Sequence, residues 1–516
     1  MKQLLLVGLL FGCYVVGYTQ DYLKPIALEN FRPPAGEPIV PIITGKVSHL
    51  TPEETKNIVV EYSVVTPFLQ QQQAGTAKLM ADGRFTIKLN QFMPLQQLWI
   101  QIDSLLYTGV YVTKQLGIHL DAAIARKNEV YLWGPGLQFS GPEAALNEYA
   151  NQRTLYQQDR KPDLDLQIQQ LVMQRIELGV KAIKPYDSLF AIVRQIDEEY
   201  FKEYPSPYQW LIENETDSRY LSNLCLFHLE EKMDSTMFSM VSSHKPVAVS
   251  SDGIPFYRCL AFYSNRFASV KMDERSIPAN SAEGTAITVA LLDSMFSPSK
   301  ADFMKMQIGD NDLDTYKKIL ARVIPTIQNS WCKLLLEEQY AFSEARLARI
   351  NTVLSKATSI ANALPLGDPL AKLSSGAILY KRDSGGAEEL LIALKNAFPG
   401  KAVYIDCWAT WCAPCIGEFP SSNKLSDACK DLPVEFVYLC TSEGSTPEKW
   451  KAKIAEYGLK GTHVYVSHPI ETAFMELFAK NGYPSYIMIN SKGKFVPSFD
   501  KWPSQLNREL MGKAIY

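Results

Sequence analysis

The chain of 516 residues has no excess of either charge: 52 Lys and Arg stand against 55 Asp and Glu, a formal net charge of -3. That excludes the basic footprint of a nucleic-acid binder. Nor is it poor in apolar residues, at 47% of the total, so a disordered chain is excluded as well. The apolar run Leu4–Val16 is too short to cross a bilayer comfortably. No repeat of regular period is present. Histidine is scarce, with 6 in the chain, and His228 and His244 have no ligand set in the sequence around them; both read as structural. The 9 cysteines are widely and irregularly spaced, unlike a small disulfide scaffold. Cys412 and Cys415 have no second pair at ligand spacing, since Cys429 and Cys440 are eleven residues apart, and this argues against a four-cysteine zinc site.

What is present divides the chain. Its length suggests about three domains at roughly 150 residues each. Met1-Lys2-Gln3, the apolar run Leu4–Val16 and Gly17-Tyr18-Thr19-Gln20 have the layout of a secretory signal over residues 1–19, cleaved after Thr19. A membrane anchor or a buried strand is the alternative, and lipidation at Cys13 is a further reading with Phe11 against it. Export would place the remaining cysteines (Cys225, Cys259, Cys332, Cys407, Cys412, Cys415, Cys429 and Cys440) in an oxidising compartment. Most of them are expected to pack as small apolar residues.

Over residues 20–140 short β-branched segments alternate with turns, at Val40–Val47, Ile58–Val64, Ala77–Met80, Arg84–Leu89, Leu98–Ile102, Val110–Thr113 and Val130–Trp133. They predict an all-β sandwich, with Asp82-Gly83 as a hairpin signal. From 141 to 364 the period becomes helical, as in Leu166, Ile168, Leu171, Val172 and Ile176, which predicts a helical connector whose longest helix covers Trp331–Ile360. Ala361–Asp368 reads as a linker. Residues 365–516 then alternate strands and helices, the pattern of an α/β sheet covered on both faces, with Phe495–Ser498 as the hairpin partner of the last strand.

Within this last region the apolar strand around Ala402–Ile405 runs into Asp406-Cys407-Trp408-Ala409-Thr410-Trp411-Cys412-Ala413-Pro414-Cys415. Pro414 suits a first helical turn. Cys412 then lies at the positive end of a helix, where free amide donors stabilise a thiolate, and Cys415 lies one turn inward as the resolving sulfur. Such a pair can cycle between dithiol and disulfide.

Trp408-Ala409-Thr410-Trp411-Cys412-Ala413-Pro414-Cys415, together with Asp406, Glu418, Pro420 and Gly482-Tyr483-Pro484, resembles the active-site pattern of TlpA/ResA-type thioredoxin-fold oxidoreductases. The resemblance spans about Leu366–Tyr516, including Lys501-Trp502-Pro503-Ser504. It implies a thioredoxin fold, a buried carboxylate at Asp406 that moves the resolving thiol's proton, a tuning carboxylate at Glu418 and a cis bond before Pro484. A weaker resemblance, carried by Asp82-Gly83-Arg84-Phe85, Phe139-Ser140-Gly141 and Leu146-Asn147, implies the β-domain that precedes such exported proteins, as a spacer or dimerisation module. Cys407 and Tyr483 depart from the family pattern, the latter in the groove where Trp411, Pro414 and Tyr483 would meet a client. The thiol peroxidase pattern Pro-x-x-x-Thr-x-x-Cys is absent.

The resulting expectation is a multidomain, exported thiol–disulfide oxidoreductase that reduces disulfides of extracytoplasmic client proteins. It would use no cofactor beyond the Cys412–Cys415 disulfide and draw electrons from a membrane donor outside this chain. Two alternatives stay open: a disulfide-forming oxidase, or an envelope protein that binds a partner or ligand and carries the redox domain as an accessory. Oligomeric state is not set by these residues.

Overall fold

Apolar side chains at every second position build the strands of the first half, and their alternation decides which face each buries. The computed structural model describes residues 24–33, 40–68, 72–127, 131–267, 281–310, 313–359, 366, 369–480, 482–497, 499 and 501–516. The expected signal at 1–19, Cys13 and nearly all of the expected linker Ala361–Asp368 lie outside these residues. Two compact units divide the chain, residues 1–66 with 75–266 and residues 67–74 with 267–516. The helical stretch drawn as one connector, 141–364, is therefore shared between them. A helical period reveals a buried face but not its partner.

Eight strands precede the helices: β1 (Ile42–Ser48), β2 (Val59–Val65), β3 (Gln72–Lys78), β4 (Arg84–Lys88), β5 (Gln96–Ile102), β6 (Leu106–Val112), β7 (Gln115–Asp121) and β8 (Leu137–Ser140). They form two four-stranded sheets, β4-β1-β7-β8 and β3-β2-β5-β6. Ile43, Ile87, Leu116 and Ile118 of the first sheet share one apolar core with Val60, Leu98, Ile100 and Val110 of the second. Asp82-Gly83 does make a tight turn, with Gly83 at φ 79° and its N–H donating to Met80 O at 2.8 Å. The strands it joins enter different sheets, so it is a corner and not a hairpin. The expected strand Val130–Trp133 does not form among its described residues, where Trp133 instead stacks on Phe139 with ring centroids 5.3 Å apart. β7 was not anticipated, although Leu116, Ile118 and Leu120 alternate inward; it pairs in parallel with β1.

β6 is an edge strand, and an unpaired edge leaves backbone donors and acceptors exposed. Helix α1 (Ala144–Arg160) covers it with two asparagines one turn apart. Asn147 accepts the Tyr111 N–H at 2.6 Å and donates to Tyr111 O at 2.8 Å, replacing a neighbouring strand. Asn151 accepts from Thr108 Oγ1 at 2.8 Å and donates to Gly109 O at 3.0 Å. Leu146 and Leu211 add an apolar seam against Leu95 and Tyr111. Helices α2 (Ile183–Glu203), α3 (Gln209–Phe227) and α4 (Gly253–Phe267) complete the layer.

In the second unit, helix α5 (Ser330–Ser359) packs on α6 (Ala387–Ala397), with Arg349 Nε donating to Glu388 Oε1 at 2.8 Å. The C-terminal sheet comprises β9 (Ala371–Lys372), β10 (Ile378–Arg382), β11 (Ala402–Trp408), β12 (Val434–Thr441), β13 (Thr462–Val466) and β14 (Ser485–Ile489) in the order β14-β11-β12-β13-β10-β9. β10 to β13 are mutually parallel where they pair, and β14 runs antiparallel to β11. Helices α7 (Ala413–Ala428), α8 (Pro447–Glu456), α9 (His468–Leu477) and α10 (Arg508–Ile515) complete the thioredoxin-like domain. Among its described residues, the expected closing strand Phe495–Ser498 is reduced to a single bridge, Ile489 to Phe495. Pro497 has no N–H with which to extend the ladder.

Replacing Asn147 with alanine is expected to leave the buried N–H and C=O of Tyr111 unpaired and to lower stability by at least about 2 kcal/mol. A urea midpoint that falls with unchanged slope would bear this out; an unmoved midpoint would show that the edge of β6 finds other partners.

Candidate active site

β11 is buried at all seven positions, so its side chains alternate between two cores. Val403, Ile405 and Cys407 face the core beneath α6 and α9. Tyr404 and Trp408 face the core that holds Cys412, Cys415 and Phe419, and alternation puts Asp406 on that same side. The Asp406 residue is 1% exposed, and neither carboxylate oxygen has a hydrogen-bond partner. Burial first, and the charge of Glu418 second, push its carboxyl well above the usual carboxylate range. Tyr438 and Tyr486, its cross-strand neighbours, enclose it.

After Trp408 the chain turns once, with Cys412 N–H donating to Ala409 O at 3.0 Å, and enters α7. Cys412 is the N-cap residue: its Sγ accepts the Cys415 N–H at 3.2 Å, and Pro414 sits in the first turn. The two cysteines are joined in a disulfide, with their Cα atoms 5.3 Å apart. Cys415 is fully buried and Cys412 is 4% exposed. Pro414 is exposed, as is Trp411, whose indole Nε1 donates to Glu443 O at 2.8 Å. Gly444 turns at φ 59° under that indole, where a Cβ would come within 2.8 Å of Trp411 Cδ1.

Glu418 lies one turn beyond Cys415. Its two oxygens accept from Ser504 N–H at 2.8 Å and Ser504 Oγ at 2.9 Å, so it ties α7 to the turn before α10. The Tyr483–Pro484 peptide bond is cis. Tyr483 packs edge-on against Trp411, with centroids 5.6 Å apart at 83°. The structure thus brings Trp411 and Tyr483 together beside Cys412. Cys407 faces away, toward the opposite core.

Sequence reasoning missed Glu471. Its residue is 1% exposed on α9, and Oε2 accepts the Tyr483 hydroxyl at 2.6 Å while Oε1 has no partner. Burial raises its pKa to about 7 against the lowering by the Tyr483 hydrogen bond. The same burial, with the Glu471 charge, pushes the Tyr483 phenol far upward. An acid flanked by buried Ile470, Phe474 and Met475 was a readable signal. Ser504, 86 residues from Glu418, had none.

Two outcomes follow from the carboxyls. Asp406 holds a proton in the folded chain that an unfolded aspartate has lost, so this group's contribution is full below about pH 4 and is lost as pH rises through its raised pKa. Asp406→Asn is therefore expected to increase unfolding free energy at neutral and alkaline pH and leave it unchanged near pH 4, as read by urea titration across pH. For Glu471 the window runs from the unfolded value of 4.5 to about 7. Glu471→Gln should flatten the stability profile in that interval, and Tyr483→Phe should leave an ionising Glu471 without its donor and steepen the loss. Equal profiles in all three proteins would refute the assigned coupling.

Residues 385–501 match the family model described as Redoxin. Over 69 residues the chain is 39% identical to the thiol-disulfide oxidoreductase ResA of Bacillus thuringiensis (strain Al Hakam), which covers 13% of this chain and 38% of that protein. Over 105 residues it is 31% identical to a ResA of Bacillus cereus, covering 20% and 57% respectively. A solved putative thiol-disulfide oxidoreductase from Bacteroides vulgatus is 29% identical, covering 23% of this chain and 73% of that one at a TM-score of 0.20. The chain thus spans between 38% and 57% of the length of these two curated relatives. The C-terminal part of the chain, matched from 385 to 501, is thus similar to the Redoxin family model and to ResA-type thiol-disulfide oxidoreductases.

Proposed function

We propose that the protein is an exported reductant of disulfides in extracytoplasmic client proteins. The observation that carries this reading is the Cys412–Cys415 disulfide at the N-terminus of α7, on the face of β11 that also carries the buried Asp406. In the reduced enzyme the Cys412 thiolate, stabilised by the amide donors of α7, attacks one sulfur of the client disulfide. A Cys412–client mixed disulfide forms, and the other client sulfur leaves as a thiolate that takes up a proton. Cys415 then loses its proton to Asp406 in its ionised form, directly or through water, and its thiolate attacks Cys412 Sγ. The reduced client departs and Cys412–Cys415 is left oxidised. The client's disulfide gains two electrons and the enzyme's dithiol loses them.

The electron donor that restores the dithiol is a membrane component outside this chain. Burial raises the pKa of Asp406, which makes its carboxylate a stronger proton acceptor for Cys415. Trp411, Pro414 and Tyr483 form the surface around the nucleophile, and the backbone before Pro484 offers groups to an extended client segment. Glu418 tunes the pair through its charge beside Asp406. Export rests on the signal-like layout of residues 1–19; no helix among the described residues is long and apolar enough to cross a membrane. The two sheets of the first unit serve as a sandwich-like spacer or dimerisation module.

The test is the equilibrium reduction potential of Cys412/Cys415 in the mature protein. A value near about -270 mV is expected of a reductant of this fold, whereas a value near about -120 mV would make it a disulfide-forming oxidase. Cys415→Ser should accumulate mixed disulfides with clients, visible on non-reducing gels, and Cys412→Ser should form none and lose reductase activity.

A further inference from the structure

Trp411 and Tyr483, the two aromatic residues beside Cys412, are fixed from different elements. The Trp411 indole donates to Glu443 O at 2.8 Å. Glu443 is itself anchored at the end of β12, its N–H donating to Thr441 Oγ1 at 3.2 Å. Tyr483 donates its hydroxyl to Glu471 Oε2 at 2.6 Å and packs edge-on against Trp411. His468, one turn before Glu471 on α9, closes the circuit: its Nδ1 lies 3.4 Å from Thr441 Oγ1 and 3.5 Å from Glu443 Oε2. Both aromatic rings therefore belong to one closed set of contacts drawn from α9, the end of β12 and the segment before β14.

One member of the set is costly to the fold. Glu471 is 1% exposed, beside buried Ile470, Phe474 and Met475, and its Oε1 has no hydrogen-bond partner among the described residues. A leucine would fill such a position without desolvating a carboxyl. What the carboxyl supplies is one directed bond, and that bond ends on a residue of the surface around the nucleophile. Without it the Tyr483 ring keeps its apolar packing but loses the contact that fixes its hydroxyl end, and Trp411 loses a fixed neighbour.

We infer that Glu471 is a positioning residue for client binding: through the Tyr483 hydroxyl it holds the Tyr483–Trp411 wall in one arrangement, which favours disulfides carried on an extended polypeptide over small-molecule disulfides. The inference rests on the reductase reading given above. A small disulfide needs only access to Cys412 Sγ. A polypeptide must also lay several residues against the wall and along the backbone before Pro484. A wall already in its binding arrangement spares the cost of ordering it when the client docks. Glu471 touches neither client nor sulfur, so its effect falls on binding and not on the exchange step.

The test uses the full chain, reduced beforehand with dithiothreitol and freed of it, in single-turnover reactions with insulin as the polypeptide disulfide and bis(2-hydroxyethyl) disulfide as the small one. Glu471→Leu is expected to raise the half-saturating insulin concentration about fivefold, the worth of one ordinary hydrogen bond, and to leave the limiting rate within about twofold. Its rate with the small disulfide and its Cys412/Cys415 reduction potential should match the parent. Glu471→Gln, whose amide oxygen can still accept from Tyr483, should bind insulin as the parent does. Tyr483→Phe should reproduce the Glu471→Leu defect, and the two changes together should be no worse than either alone, because both remove the same interaction. If Glu471→Leu fails to fold, Tyr483→Phe against Glu471→Gln decides the matter. A parent that oxidises reduced insulin, and does not reduce its disulfides, would refute the reductase reading alone; the same variant-to-parent ratios are then taken in the oxidising direction. The inference is overturned if insulin binding is unchanged in Glu471→Leu, if the small disulfide slows in the same proportion, if Glu471→Gln is as impaired as Tyr483→Phe, if the two defects add, or if the parent is inert toward insulin in both directions.

Discussion

The C-terminal domain depends on a strand with no solvent face. Because β11 is buried along its whole length, each side chain must suit one of two cores, and the chain can leave the strand only at its C-terminal end. There it turns through Ala409-Thr410-Trp411 into α7, so the helix begins over the sheet and Cys412 falls at its cap. The unpaired donors at a helix start are a general property of the backbone. Their position above a buried carboxylate is a property of this strand's alternation. Moving the register by one residue would send Asp406 to the side of α6 and α9 and bring Cys407 under the cysteines.

A second level of control surrounds that arrangement. Trp411 is held by the Glu443 carbonyl and by Tyr483, and Tyr483 is held by Glu471, a carboxyl reached from the opposite side of the sheet. Glu418 is engaged by Ser504. The surroundings of the Cys412–Cys415 disulfide therefore rest on groups from α7, α9, the segment before β14 and the turn before α10. Polar pairs of this kind cost little when satisfied and much when one partner is removed. The first unit uses the same principle at its sheet edge, where Asn147 and Asn151 complete the edge of β6.

Much of the C-terminal domain was legible. The strands around Ala402, Val434, Thr462 and Ser485 are apolar runs bounded by turns, and the helices between them carry a clear helical period. Cys412, Pro414 and Cys415 announced a helix start with a sulfur pair, a signal that needs only four residues. Legibility fell wherever the deciding partner lay far along the chain. Asp82-Gly83 specified a turn but not that its two strands would enter separate sheets. Gln115–Asp121 alternated correctly, yet its parallel partner 73 residues earlier gave it no local hairpin signal.

By itself, then, the sequence determined the elements and the chemistry: an apolar strand ending in Asp406, a sulfur pair at a helix cap, and a proline preceded by an aromatic at Tyr483. These follow from short-range rules, in which backbone geometry, side-chain period and missing donors act within a few residues. The tertiary structure alone decided the environment of each group. Desolvation and charge proximity depend on what packs from every side, and for Asp406 and Glu471 those neighbours come from segments far apart in the chain.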